Sequence, residues 1–366
     1  MKRIFDVILA YNESKAEAFI QELRGKNPLF ICTIGTTETA KIPGISAAGR
    51  NPELTDYTPP ADAELILLGR CKCIPDVPVT PEGIPTPALI TMSALKLADI
   101  PALVASGGLN VKPHIPLLDL GGKPGSDIRM GRAVENVEEV IRRARIAGEN
   151  LSKIADYLVI GESIPGGTTT ALGVLLVMGI DAKEKMSSSM PSNPRELKFR
   201  TIEASLRVSG EKFGSLSDDP IRAISCVGDP VIPAFAGLVL GAAERVPVLI
   251  AGGTQMGAVL AVIKSLNQAI LGNIAIGTTR WIISDKSSDL KGIINQIADV
   301  PILAADLDFS GSRFEGLKAY ERGFVKEGVG AGGAAIAAMI KSDGTITKEA
   351  LTKEIERNYM RLIGLK

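Results

Sequence analysis

The stretch Tyr157-Leu-Val-Ile-Gly161-Glu162-Ser-Ile-Pro-Gly166-Gly167-Thr168-Thr169-Thr170-Ala171 carries, in succession, a β-branched run, a glycine turn and a helix start. Tyr157–Ile160 reads as a strand, and the threonines after Gly166-Gly167 open a helix. Backbone N–H groups at such a start, helped by the helix dipole and by hydroxyls, make an anion site. Gly166, Gly167, Thr168 and Thr169 are therefore candidate phosphate donors. The same residues also suit a threonine-capped helix after a tight turn, with no ligand. No lysine follows the second glycine, so this is not a Walker A loop, and the spacing fails the Gly-x-Gly-x-x-Gly fingerprint.

Outward from this loop, short β-branched runs alternate with helical patterns. Candidate strands are 29–34, 64–68, 157–160, 223–227, 246–250, 281–283 and 302–305, and residues 1–10 read as a further strand or helix. The alternation predicts an α/β fold, a doubly wound, mainly parallel, Rossmann-like sheet flanked by helices. Ile34-Gly35, Ile160-Gly161, Val227-Gly228 and Ala251-Gly252 place glycine after strands, where ligands bind in this architecture. Residues 28–340 are expected to form the large domain. Helices at Glu13–Leu23 and from Thr347 onward, within 1–27 and 341–366, are expected to build a small helical domain from both termini. The proline-rich 71–130 region reads as long connections of the kind that line a site.

Composition narrows the function classes. Among 366 residues, 41 basic and 41 acidic side chains cancel, so no global attraction to nucleic acid or anionic membrane follows. The apolar stretches Ile232–Ala243 and Val329–Ile340 are too short to span a bilayer, and no signal peptide is evident. Cys32, Cys71, Cys73 and Cys226 read as reduced thiols, and a single histidine, His114, argues against a Cys/His metal centre. A cytoplasmic location is expected.

Two further segments carry candidate chemistry. Asn193-Pro194-Arg-Glu196 reads as a capped helix start, with Lys198 one turn in and able to reach a phosphate, or simply solvated. Glu327 stands where a glycine-alanine helix begins. Partial desolvation there raises a carboxylate toward general-base range, whereas a solvent-facing carboxylate would only complement the helix dipole. His114 lacks an obvious partner, and Arg142, Arg143 and Arg145 read as a solvated helix face.

Together these segments resemble the nicotinate-nucleotide:dimethylbenzimidazole phosphoribosyltransferase family of cobalamin assembly, in its divergent archaeal and cyanobacterial branch. Gly161-Glu162-x-x-x-Gly166-Gly167-Thr168-Thr169 is similar to the family loop Gly-Glu-Met-Gly-Ile-Gly-Asn-Thr-Thr. Lys198 falls where the family has its phosphate-contacting lysine. Ser284-Asp-Lys-Ser287-Ser288-Asp289 resembles Ser-His-x-Ser-Ala-Glu, and Lys326-Glu327-Gly328-Val329-Gly330-Ala331 resembles Gly-Glu-Gly-Thr/Ser-Gly-Ala. The resemblance implies an enzyme that displaces nicotinate from nicotinate mononucleotide with a benzimidazole-like base. Glu327 is then the general base and Glu162 a second carboxylate near the ribose. Gly166, Gly167, Thr168, Thr169, Lys198, Ser284, Ser287, Gly328 and Gly330 contact substrate. No metal or coenzyme is implied, and a homodimer is. The family's Asp-His-Gly gives way to Thr36-Thr37-Glu38, its later Asp-Gly to Ala251-Gly252, and an arginine to Phe324. These departures fall in segments that shape the base pocket. A non-catalytic nucleotide-binding homologue, acting as a sensor or partner protein, is the competing reading.

Overall fold

The structure is a computed structural model describing residues 2–48, 51–75, 78–80 and 82–364. Its strands are β1 (Arg3–Ile4), β2 (Val7–Tyr11), β3 (Pro28–Gly35), β4 (Ala102–Gly108), β5 (Leu118–Asp119), β6 (Tyr157–Ser163), β7 (Val248–Ala251), β8 (Ile274–Thr279) and β9 (Ile302–Ala305). They form one nine-stranded sheet in the order β1-β2-β9-β8-β7-β6-β3-β4-β5. Pairing is parallel throughout except at β1–β2 and β2–β9. This is the expected mainly parallel α/β sheet.

Alternate residues of the central strands point to opposite faces, as the pleat requires. Leu29 and Ile31 of β3, with Leu158 and Ile160 of β6, join an apolar layer shared with helices Gly167–Val177, Val231–Ala242 and Met256–Leu266. Phe30, Cys32 and Ile34, with Tyr157 and Val159, join the other layer, under helices Glu13–Leu23, Ala88–Leu97, Ala331–Lys341 and Lys348–Leu362. Both faces are covered, which explains why β3 and β6 are buried at every position.

Strand order reverses between β3 and β6. From β3 the chain steps to β4 and β5 on one side, then returns to lay β6 on the other and continues outward through β7, β8 and β9. Such a switch point leaves a crevice at the carboxyl ends of the strands. Thr33 pairs with Glu162 and Ile34 with Ser163 there, so Glu162 stands at the crevice because β6 runs into it.

Three expected strands are helical. Residues 64–68 end the helix Thr58–Leu68, which starts on Pro59 and Pro60 and stops at Gly69, whose φ is 68°. Residues 223–227 lie in Pro220–Val227, where the Asp219 carboxylate accepts from Arg222 N–H and proline occupies the first turn. Residues 281–283 form part of the short helix Arg280–Ser284. Glycine after a strand holds for Gly252, but Gly35 is the last residue of β3, Gly161 lies inside β6 and Gly228 follows a helix. Strands β4, β5 and β8 complete the sheet in places where no strand was expected.

The termini divide their roles. Residues 3–11 add β1 and β2 to the sheet edge, while the expected helices at 13–23 and 348–362 both form. Thr347 caps the last helix by accepting from Ala350 N–H at 3.3 Å, and Leu351, Ile355 and Tyr359 are buried on one face. Asn358 Nδ2 donates to Ser93 Oγ at 3.0 Å, tying this helix to Ala88–Leu97 of the main layer. All four cysteines are free. Among the described residues, no helix is long and apolar enough to cross a membrane.

Candidate active site

A cavity of about 420 Å³ opens at the carboxyl ends of β6 and β7, beside the switch point. Its size suits a small-molecule ligand. One wall is Glu162–Thr168, the second Ser187–Ser189, and the third the turn that carries Glu327 and Gly328; the helix start at Thr58 and described residues between Ile74 and Pro87 close it. The proline-rich connection thus lines the site, as its composition led us to expect. Among the described residues, no lysine, arginine or histidine lines this cavity.

The loop Ile164–Thr168 leaves β6 and enters the helix Gly167–Val177 through Gly166, whose φ of 78° only glycine adopts without strain. The Gly166 carbonyl accepts from Thr169 N–H at 2.9 Å. Gly166, Gly167 and Thr168 face the cavity, whereas Thr169 is fully buried and its hydroxyl has no partner among the described residues. Thr170 turns inward and donates to the buried Asp229 carboxylate at 2.5 Å.

Glu327 sits in a strained turn. Val325, Lys326 and Val329 have φ of 59°, 61° and 57°, a region that disfavours β-branched side chains. Contacts on every side hold it: Val325 N–H donates to Ser189 O at 2.8 Å, Thr279 Oγ1 to Lys326 O at 2.6 Å, and Val329 N–H to Glu162 O at 2.8 Å. The Lys326 ammonium pairs with Asp285 at 2.9 Å in a nearly buried position. Gly330 then packs against Gly161: a Cβ on Gly161 would lie 2.8 Å from the Gly330 Cα. That contact lets the Glu327 turn dock beside the strand that carries Glu162.

The Glu327 carboxylate accepts from Gly328 N–H at 3.1 Å and Gly332 N–H at 3.2 Å, at the start of the helix Ala331–Lys341. Burial outweighs these donors and pushes its pKa up to about 7. Glu162 is 3% exposed and accepts from Gln255 Nε2 at 2.5 Å. Its pKa is raised well above the usual carboxylate range by burial, and further by Asp229, Glu327 and Asp62. Burial likewise pushes Asp62 up to about 6, although Thr86 and Ser163 donate to it.

Lys198 lies behind the cavity wall. It is 1% exposed, and its ammonium donates to Ser187 O at 2.8 Å and Asn193 Oδ1 at 3.3 Å. Burial, with Lys326 and Arg195 nearby, lowers its pKa to about 7. Asn193 therefore serves Lys198 and the Met186 carbonyl, and the expected asparagine cap does not form; the helix begins at Arg195. Ser187, in turn, bonds Thr254 through both its N–H, at 3.0 Å, and its hydroxyl, at 2.8 Å.

Of the residues expected to meet substrate, Glu162, Gly166, Gly167, Thr168, Glu327 and Gly328 share the cavity. Thr169, Lys198 and Gly330 stand directly behind its walls. Ser284 lines a separate space of about 340 Å³ with Arg280 and Lys286. Ser287 is held by Arg195, which donates to its carbonyl at 2.5 Å, and its hydroxyl is buried without a partner. Asp62, Ser163, Thr86 and Gln255 belong to the site although nothing in the sequence singled them out. The one available signal was Asp62 four residues after Thr58 in a largely apolar helix, which puts both on one face. His114 lies apart, its Nδ1 3.0 Å from Glu64 Oε1.

Comparison with known proteins agrees with this architecture. Residues 122–280 match the family described as Phosphoribosyltransferase. The chain is 48% identical to a UPF0284 protein of Sulfolobus acidocaldarius over 94% of its length and 99% of that protein. It is 44% identical to a UPF0284 protein of Methanothermobacter thermautotrophicus, covering 92% of this chain and 94% of the relative. The crystal structure of CobT from Thermus thermophilus superposes with a TM-score of 0.60 at 15% identity, covering 96% of this chain and 92% of that one. That likeness concerns the fold. The chain shares its fold with CobT, matches the Phosphoribosyltransferase family over residues 122–280, and belongs to the family of archaeal UPF0284 proteins.

Proposed function

We propose that the protein transfers the phosphoribosyl group of nicotinate mononucleotide to a benzimidazole-like base, giving an α-ribazole phosphate. A solved structure of similar fold is that of the nicotinate-nucleotide-dimethylbenzimidazole phosphoribosyltransferase from Thermus thermophilus. The observation that carries the reading is one cavity walled by Glu327, Glu162 and the Gly166–Thr168 helix start.

The phosphate lies at Gly166, Gly167 and Thr168, where the helix start favours an anion. The Ser187–Ser189 loop supplies further hydroxyls, and Lys198 holds that loop by its Ser187 carbonyl. The azole nitrogen attacks the ribose C1′ as the C1′–nitrogen bond to nicotinate breaks, and the leaving ring takes the bonding electron pair. The azole N–H proton passes to Glu327, whose pKa of about 7 suits a general base at neutral pH. Burial, together with the neighbouring carboxyl groups of Asp229, Glu327 and Asp62, disfavours the Glu162 anion. A positively charged ribosyl centre against it favours the anion and is stabilised in return. Alignment of the two rings across C1′ supplies much of the rate.

A crystal soaked with nicotinate mononucleotide tests the placement. The reading expects phosphate at Gly166–Thr168 and C1′ between Glu162 and Glu327. Phosphate bound in the space beside Ser284 would refute it.

A further inference from the structure

The part of the cavity lined by described residues between Ile74 and Pro87 carries a polar group for which the transfer step has no use. Asp62 is 2% exposed, on the helix face that also presents Thr58 to the cavity. Its two carboxylate oxygens accept from Thr86 Oγ1 at 2.6 Å and from Ser163 Oγ at 2.7 Å. A hydroxyl has one hydrogen, so both hydroxyl hydrogens are committed to Asp62. What Thr86, Ser163 and Asp62 turn toward a ring in the cavity is therefore lone pairs. Thr86 uses one of its own on Ala88 N–H at 3.3 Å; Ser163 keeps both.

Around this acceptor group the lining is mostly apolar, with Ile74, Val79, Ile84 and Pro87 beside Thr58 and Thr80. Ser163 also stands where the resembled Gly-Glu-Met loop has methionine, so a hydrogen-bond acceptor replaces an apolar side chain. A ring edge bearing only methyl groups covers these acceptors without pairing them, and desolvating an unpaired acceptor is costly. A ring edge with N–H donors pairs them.

We propose that Asp62, Thr86 and Ser163 form the specificity-determining group of the base site, and that the base it selects carries an exocyclic amino group where a methylated benzimidazole has methyl. The inference rests on the transfer reading above. Amino and methyl groups are of nearly equal size, so the preference reports hydrogen bonding and not fit.

The test uses the full chain with nicotinate mononucleotide present. Calorimetry measures binding of 4- and 5-aminobenzimidazole against 4- and 5-methylbenzimidazole, with nicotinate release followed in parallel. One amino isomer is expected to bind at least about tenfold more tightly than its methyl counterpart. Ser163→Ala should bring that ratio within about threefold. If this variant does not fold, Thr86→Val removes the same acceptor group from the other side. Equal binding of the two series, tighter binding of the methyl rings, or binding of neither series overturns the proposal. An amino preference without nicotinate release supports the selectivity and contradicts transfer, so the two claims fail separately.

Discussion

Replacing Glu327 by glutamine removes a proton acceptor and little else. The glutamine oxygen can still accept from Gly328 and Gly332 N–H, and its amide nitrogen faces Thr278 Oγ1, 3.5 Å from the present Oε2. The turn should therefore keep its shape. General-base catalysis contributes about 10²–10⁴-fold, so kcat should fall by about that factor, or roughly 3–5 kcal/mol of barrier. KM for nicotinate mononucleotide should change by no more than about threefold, because Glu327 acts on the azole nitrogen and uniform binding is untouched. The pH profile adds a second reading. The carboxylate is the active form, so kcat/KM in the native protein should rise with pH through an apparent pKa of about 7, and the variant should lose that limb. Chromatographic assay of released nicotinate across pH 5–9 measures both. A Glu327→Gln protein that retains kcat within about threefold of native and keeps the limb refutes the assignment.

Other expectations follow from the same geometry. Gly161→Ala sets a Cβ 2.8 Å from the Gly330 Cα, and overpacking of this kind should cost about 1–3 kcal/mol in denaturant unfolding; unchanged stability would contradict the close contact. Lys198→Met frees the Ser187 carbonyl, so KM for the mononucleotide should rise about tenfold with a smaller change in kcat; the reverse split would place Lys198 in the chemical step. Asp62 and Glu327 have folded pKa values of about 6 and about 7, both raised. The folded state then binds more protons than the unfolded chain between about pH 4 and 7, and stability should fall as pH rises through that window. Melting temperature from pH 4.5 to 7.5 reads this, and Glu327→Gln should flatten the slope; a slope of opposite sign would refute the burial of these carboxyls.

How much of this was legible in the sequence depends on where the signal is local. The strand–glycine–threonine stretch at 157–171 announces both a parallel strand and its site, because β-branched residues, Gly166 and the helix start are adjacent. Strand β4 escaped because Ala-Leu-Val-Ala-Ser-Gly-Gly has few β-branched residues; its pairing with β3 supplies what propensity does not. Residues 223–227 misled in the opposite direction: Ala-Ile-Ser-Cys-Val looks like a strand until Asp219-Pro220 is read as a helix start. Glu327 was singled out by the glycine-alanine helix it precedes, and Glu162 by the resemblance its loop carries. Asp62 was not, since its importance lies in Thr86 and Ser163, which are 24 and 101 residues away in the chain. Lys198 was found, but its direction was not. Only the folded chain shows its ammonium buried and held against the Ser187 carbonyl, where the sequence left it reaching a phosphate or solvated.

The measurement that bears most directly on the central claim is turnover itself. Purified protein with nicotinate mononucleotide and benzimidazoles, amino-substituted rings included, should release nicotinate in equal amount to a new ribosyl phosphate whose anomeric proton signal is that of the α configuration. Tight binding of the mononucleotide with no nicotinate released by any azole would contradict the account and leave a nucleotide-binding protein in its place.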